Sequence, residues 1–319
     1  MNTTSTPNPP QVQWLTIGEA NAEQRLDNFL ISLLKGVPKT RIYRMVRKGE
    51  VRVNKARADV SYKLAEGDVV RVPPVRTADH PDAVIVQPGL KFSLENHILY
   101  EDDGFLVLNK PAGFAVHGGS GIQSGVIEGL RQIRPAQKFL ELVHRLDKDT
   151  SGCLLIAKKR SVLKQLHEMF RGDGIQKTYL ALLAGQFTRK KQWVDAPLLK
   201  NVGRGGERFV IVSQAGKPSE TLFTRLQPYK TATLVRAEPK TGRTHQIRVH
   251  AAWLGFPIVG DERYGAVETN KTFSQKGYKR LFLHAEQLAF THPGNGTKLQ
   301  FNAPLPDDLQ QLLNNEEPL

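Results

Sequence analysis

Apolar positions predict the secondary structure along most of the chain. Leu26, Phe29, Leu30, Leu33 and Leu34 fall at i, i+3, i+4, i+7 and i+8, the spacing of one helical face. Gly36 and Pro38 end that helix and open a second. There Ile42, Met45 and Val46 share one side, while Arg41, Arg44, Arg47 and Lys48 take the other. Gly49 closes it. Short strands are expected at 51–53 and 69–72, the latter entered through the Glu66-Gly67-Asp68 turn. From about residue 97, strand-like and helix-like segments alternate. Segments 98–100 and 105–108 flank Asp102-Asp103-Gly104 as a hairpin, and 153–157 reads as a buried strand. Leu163, Leu166 and Phe170 mark a helical stripe, and 179–184 and 233–236 read as further strands. Hairpins mixed with helices predict an α+β fold with a mixed, largely antiparallel sheet and packed helices, not a doubly wound parallel sheet.

The 319 residues suit about two domains. Residues 1–13, rich in Thr, Ser, Asn and Pro, read as a tail, and 14–82 as a small helix–helix–strand domain. Prolines 73, 74, 81 and 88 dissolve the pattern into a linker over 83–96, with one strand at 83–86, before a large domain at 97–319. The single cysteine, Cys153, excludes an internal disulfide and a CxxC metal site. The longest stretch free of polar side chains, 251–260, is far shorter than the roughly 18 residues of a membrane span. With no signal-peptide pattern at the N-terminus, these features lead us to expect a cytoplasmic protein.

Charge changes the picture in one place. The chain carries 45 Lys and Arg against 31 Asp and Glu, a net +14. Residues 35–57 hold nine of the basic side chains and one acid, Glu50. A charge run is usually a solvated face. An ordinary surface helix mixes signs, however, and membrane binding would need large apolar groups that the core requires here. Phosphate contact is therefore favoured for Arg41, Arg44, Arg47 and Lys48.

There is no Walker loop, no GxGxxG after a strand and no HExxH, and the nine histidines are scattered; no cofactor or metal is implied. The glycines of 117–121 suit a flexible loop better than a phosphate cradle. Polar groups are densest at 142–152, where His144, Arg145, Asp147, Lys148, Asp149, Thr150 and Ser151 lie between two apolar segments. Packing explains such a loop poorly, although a turn with Asp147 or Asp149 accepting backbone N–H bonds is equally compatible. In an extended chain the two carboxylates would lie roughly 6.5–7 Å apart, near the separation of an inverting glycosidase. A second dense segment, 241–250, offers Thr244 as a helix cap, with His245 and Arg248 then on one face. An arginine beside a carboxylate favours its ionised form, but spacing does not pair Arg248 with Asp147.

His144-Arg145-Leu146-Asp147 with Thr150-Ser151-Gly152, Lys177-Thr178-Tyr179, the run Gly242 to His250, and Asn109-Lys110-Pro111-Ala112-Gly113 together resemble, in order and spacing, the signature segments of the pseudouridine synthases that modify large-subunit ribosomal RNA. The unit at about 20–76 resembles the RNA-binding module named after the fourth small-subunit ribosomal protein. The resemblance implies an isomerase of uridines in 23S RNA that breaks the N1–C1′ bond, turns the uracil and rejoins it through C5. No atoms are gained or lost, so no cofactor is needed. Asp147 matches the family's catalytic aspartate, Tyr179 the tyrosine that stacks on uracil, and Arg248 the arginine that pairs with the aspartate. His144 and Arg145 would hold the space left by a flipped-out uridine. The expected partner is large-subunit ribosomal RNA, with no membrane and no metal, and the chain is expected to be a monomer. Two other functions fit the residues: an RNA-binding ribosome-assembly factor on a retired synthase fold, and a glycoside-cleaving hydrolase using Asp147 and Asp149.

Overall fold

The computed structural model describes residues 11–34, 36–75, 94–118, 124–202 and 208–319. Most of the predicted tail, residues 83–93 of the linker with its strand at 83–86, and three glycine-loop residues, 119–121, lie outside the described residues; the linker's last three residues, 94–96, are helical, and Leu94 is buried in the core of the second unit. The chain divides into two compact units, Met1–Ile85 and Val86–Leu319.

In the first unit, β1 (Gln13–Thr16) precedes the two expected helices, α1 (Leu26–Leu33) and α2 (Lys39–Arg47), which are followed by β2 (Arg52–Val53) and β3 (Val69–Val72). The three strands form an antiparallel sheet in the order β1-β3-β2. The predicted apolar faces make its core: Leu26, Phe29 and Leu30 pack with Ile42, Met45, Val46, Val53 and Val70. Arg41, Arg44, Arg47 and Lys48 are exposed, as their spacing predicts. Sequence reading missed β1, because only Leu15 within the strand and Ile17 just after it carry an apolar signal to the core.

The second unit is built on a ten-stranded sheet. Its strands begin with the hairpin β4 (Ile98–Glu101) and β5 (Phe105–Lys110), then β6 (Glu141–Leu142), β7 (Ser151–Ala157) and β8 (Ile175–Ala184). A two-stranded ribbon, β10 (Leu198–Val202) and β11 (Arg208–Val212), follows β9 (Lys191–Asp195), and β12 (Glu220–Pro228), β13 (Ala232–Pro239), β14 (Leu283–Thr291) and β15 (Lys298–Asn302) complete the set. The main path runs β4-β5-β7-β14-β8-β13-β12-β9, with β6 beside β7 and β15 beside β14. Among the described pairs only β7–β14 is parallel, so the sheet is mixed and largely antiparallel, and the fold is α+β. Apolar side chains cover both faces of β5 and β7, which is why 105–108 and 153–157 read as continuous apolar runs. Leu106, Leu108, Leu154 and Ile156 face α3 (Val126–Ile133), while Phe105, Val107, Cys153 and Leu155 join Leu166 of α4 (Arg160–Arg171) on the other side. Three more helices, α5 (Gln246–Trp253), α6 (Val267–Gln275) and α7 (Asp307–Asn315), pack Ile247, Phe273 and Leu309 into a core around Phe223 and Phe282.

Candidate active site

The polar loop 143–150 lies between β6 and β7 and is fixed at both ends. Thr150 N–H donates to the Asp147 carbonyl at 3.2 Å, which turns the chain at 148–149. Beneath this turn, Lys110 is fully buried and donates from Nζ to the carbonyls of Pro111 (2.9 Å), Phe114 (2.9 Å) and Lys148 (3.0 Å). Burial pushes the Lys110 ammonium down to about 7, against the opposing pull of Asp149 and Asp147. At the far end, Ser151 Oγ meets His284 Nδ1 at 2.9 Å, and His284 Nε2 donates to the Ala303 carbonyl at 3.1 Å. Gly152 has φ +109, and a Cβ there would sit 2.2 Å from the Ala285 carbonyl oxygen, so the close β7–β14 approach requires glycine. The turn also removes the geometry behind the paired-carboxylate hydrolase: residues 147–149 are not extended, and Asp149 is exposed in the turn.

Arg248 arrives from the other side of the sheet. β13 lies beside β8 and leads through 240–245 into α5. Gln246 is buried and ties this turn together. Its Oε1 accepts from the Thr241 hydroxyl (2.7 Å) and Arg243 N–H (3.0 Å), and its Nε2 donates to the Glu220 carbonyl (2.8 Å). The turn consequently closes one residue later than a Thr244 cap requires. His245 occupies the cap position in a left-handed conformation (φ 54), without a side-chain capping bond. His250 is a structural histidine, buried between Thr221 Oγ1 (2.9 Å) and the Ala196 carbonyl (3.0 Å).

The Arg248 guanidinium grips Asp261 through Nε (2.7 Å) and Nη2 (2.8 Å), which leaves Nη1 to donate to Asp147 Oδ2 at 3.0 Å. Asp261 has 0% side-chain exposure and also accepts the N–H groups of Arg263 and Tyr264, each at 3.0 Å. Burial opposes its charge, but Arg248 and these backbone donors prevail and hold the carboxyl below its ordinary range. The Tyr264 ring lies 5.1 Å from the Arg248 guanidinium carbon. Tyr264 Oη accepts from Val210 N–H at 3.0 Å and lies 2.8 Å from His245 Nδ1. A hydroxyl donating to Nδ1 satisfies both groups and puts the histidine proton on Nε2, which faces Asp147 Oδ1 at 3.8 Å. Burial pushes the His245 pKa down, so the ring is neutral at pH 7. Asp147 therefore has one oxygen held and one open, with 29% of its side chain exposed.

Asp147 opens into a cleft of about 1880 Å³, which also exposes Tyr179, His144, Arg145, Arg248 and Leu283. Tyr179 lies on β8, half-buried. Burial, with the Asp147 charge next, drives its pKa upward, so it is a neutral phenol across the physiological range. His144 is oriented from below: Leu155 N–H donates to its Nε2 at 3.0 Å, and its ring stacks on Phe170 at 4.9 Å. Burial, assisted by the Lys177 charge, pushes it down to about 3, so it too is neutral. Arg145 is exposed and has no ion pair or hydrogen bond among the described residues. Residues 144, 145, 147, 179 and 248 thus line a single cleft, whereas Arg41, Arg44, Arg47 and Lys48 belong to the first unit. Sequence reading missed Asp261, Tyr264 and the burial of Lys110; the available signal was an acid immediately after the apolar run 251–260. Among the described residues no group of three or more His, Cys, Asp or Glu is arranged to hold a metal ion, and no helix is long and apolar enough to cross a membrane.

A carboxylate steadied by a buried arginine, open to a cleft large enough for a nucleotide and lined by a neutral tyrosine, suits chemistry on a flipped-out base. Comparison with known proteins agrees: residues 104–253 match the RNA pseudouridylate synthase family, and residues 24–70 match the S4 domain. The chain belongs to the pseudouridine synthases and is an RNA-modifying isomerase. It is 56% identical over 310 residues to the ribosomal large subunit pseudouridine synthase C of Yersinia pestis, covering 96% of each chain. It is 56% identical over 308 residues to the protein of the same name from Escherichia coli strain K12, covering 95% of this chain and 96% of that one. Among solved structures, human RNA pseudouridylate synthase domain containing 1 superposes with a TM-score of 0.60 at 28% identity, over 73% of this chain and 92% of that one. Human RNA pseudouridylate synthase domain containing 4 gives 0.59 at 27%, over 71% and 95%.

Proposed function

We propose that this enzyme isomerises specific uridines of 23S, large-subunit, ribosomal RNA, with Asp147 as the group that acts on the sugar. The observation that carries the assignment is the Asp147–Arg248–Asp261 chain: Oδ2 of Asp147 is pinned at 3.0 Å, while Oδ1 accepts no hydrogen bond among the described residues and has His245 Nε2 at 3.8 Å, on a side chain that lines the cleft. Breaking the N1–C1′ bond requires a carboxylate either as nucleophile at C1′ or as base on a sugar proton, and both roles need one oriented, unoccupied oxygen. Tyr179 stacks on the uracil while it turns; as a neutral phenol it is suited to be a platform, not a phenolate base. Arg248 holds the carboxylate in place and balances its charge. His144, locked by Leu155 and Phe170, and the unpaired Arg145 occupy the space vacated by the extruded nucleotide. The substrate assignment is supported by the name shared by relatives that align along nearly the whole chain.

The same reading divides the labour, with residues 14–82 holding RNA by its phosphates through Arg41, Arg44, Arg47 and Lys48, and residues 97–319 performing the isomerisation. The enzyme works as a cytoplasmic monomer with no cofactor. A retired synthase serving only in ribosome assembly is disfavoured because Asp147, Tyr179 and Arg248 all survive with their supporting partners. Asp147→Asn tests the proposal. Pseudouridine formation should be abolished while RNA affinity stays nearly unchanged, since this carboxylate acts in the transition state. Turnover within tenfold of wild type would refute the assignment. Asp149→Asn should be far milder, and equal damage from both would restore the paired-carboxylate hydrolase.

A further inference from the structure

The outer face of the first unit's sheet carries an aromatic group amid uncompensated positive charge. Trp14 on β1 is 54% exposed and stands directly across from Arg71 on β3, which in turn stands across from Arg52 on β2. Cross-strand partners share a face, so indole and both guanidiniums project from one side, while Val53 and Val70 point into the core. With Gly49 and Lys55 they line a concavity of about 370 Å³. Arg71 Nη1 donates to the Glu50 carbonyl at 2.6 Å, and Arg52 donates to the carbonyls of Gly49 (3.2 Å) and Lys55 (3.3 Å). Neutral carbonyls thus fix the direction of these cations without cancelling their charge. Among the described residues, none of Arg52, Lys55 and Arg71 forms an ion pair.

We propose that this face is a nucleotide-binding platform, on which an unpaired base of the RNA stacks on Trp14 and its flanking phosphates are held by Arg52, Lys55 and Arg71. Aromatic stacking needs an open base face, which a continuous duplex does not offer, and guanidiniums are suited to phosphate oxygens. A lipid surface would need a broader apolar face than one indole provides. The platform comprises side chains other than the α2 stripe and rests on the reading of this unit as RNA-binding.

The test uses the full chain with Asp147→Asn, Trp193→Phe and Trp253→Phe, which leaves Trp14 as the sole tryptophan of the original three. A single-stranded RNA octamer should quench its fluorescence to saturation. An octamer with abasic sites, a duplex of the same sequence and vesicles containing phosphatidylserine should not. Trp14→Ala should weaken octamer binding about 5- to 150-fold, and Trp14→Phe should restore it to within about threefold. Arg52→Gln and Arg71→Gln should each flatten the salt dependence by a slope of about 0.7. Absence of quenching, equal quenching by duplex, equal losses for Ala and Phe, or preference for vesicles would overturn the platform. If RNA affinity still depends on Arg41, Arg44, Arg47 and Lys48 in that event, the unit binds RNA without it; if it does not, the RNA-binding assignment of the unit fails as well.

Discussion

Asp261→Asn should disable the site without touching any group that meets the substrate. Oδ1 of Asp261 accepts from Arg248 Nη2 and from the Arg263 and Tyr264 N–H groups, and Oδ2 accepts from Arg248 Nε. An asparagine that keeps the first three bonds must point its NH₂ at the Arg248 Nε–H, donor against donor; the flipped amide sacrifices the three instead. At least one charge-assisted bond worth about 1.5–3 kcal/mol is lost. Arg248, only 12% exposed, is left with Asp147 as its single counter-charge. Removing one member of a buried ion pair costs about 3–5 kcal/mol, and that is the expected loss in denaturant titration. Single-turnover pseudouridine formation should fall about 10²-fold, because an unpinned Arg248 displaces Asp147 from its reactive position. Arg248→Met should destabilise comparably by stranding Asp261. Arg248→Met/Asp261→Asn removes both charges, so its stability loss should be smaller than the sum of the single losses by about 2 kcal/mol or more, with activity still absent. Because the folded-state pKa of Asp261 is depressed, its stabilisation is fully present above the unfolded carboxylate value of about 4 and is lost as pH falls through the lower folded value. The gap between wild type and Asp261→Asn should thus be constant at neutral pH and narrow in acid. Additive single losses, or a normal single-turnover rate in Asp261→Asn, would refute the orienting role.

Replacing Arg41, Arg44, Arg47 and Lys48 together by Gln should weaken binding to a long ribosomal RNA fragment and flatten its salt dependence by up to roughly three units of slope, with the maximal rate at saturating RNA unchanged. Superimposable salt curves would make the stripe a solvated face. Gly152→Ala forces a Cβ into the Ala285 carbonyl at a left-handed φ, and should cost about 3 kcal/mol or more in chemical denaturation and most of the activity. A thermal midpoint within about 2 °C of wild type would show that β7 and β14 can separate at no cost.

Where burial is uniform along an element, the chain could be read directly. The 3.6-residue stripes of α1 and α2 and the continuous apolar runs of β5 and β7 follow from the faces they cover, so their predicted positions needed only extension at the ends. β9, β10 and β11 gave no such signal, since they lie at the sheet margin or in a separate ribbon where one face suffices. Within the site, residues 142–152 and 241–250 announced themselves by being too polar for the strands around them. Their pairing did not, because Asp147 and Arg248 are 101 positions apart and meet only when β8 and β13 bring α5 back over the sheet.

Asp261 exposes the deeper reason. In Asp261-Glu262-Arg263-Tyr264 it looks like the first acid of an exposed turn, and the two residues after it are indeed exposed. It follows the buried Ile258 and Val259 through Gly260, whose positive φ and closeness to the Arg280 backbone exclude a side chain there, and the chain leaves the interior only after it. Once inside, its charge is tolerable only because Arg248 and two backbone donors meet it there. A buried carboxylate is thus defined by its partners, not by its neighbours in sequence. For the same reason, Arg248 offers only one nitrogen to Asp147: the other two are committed to the group that holds it in place.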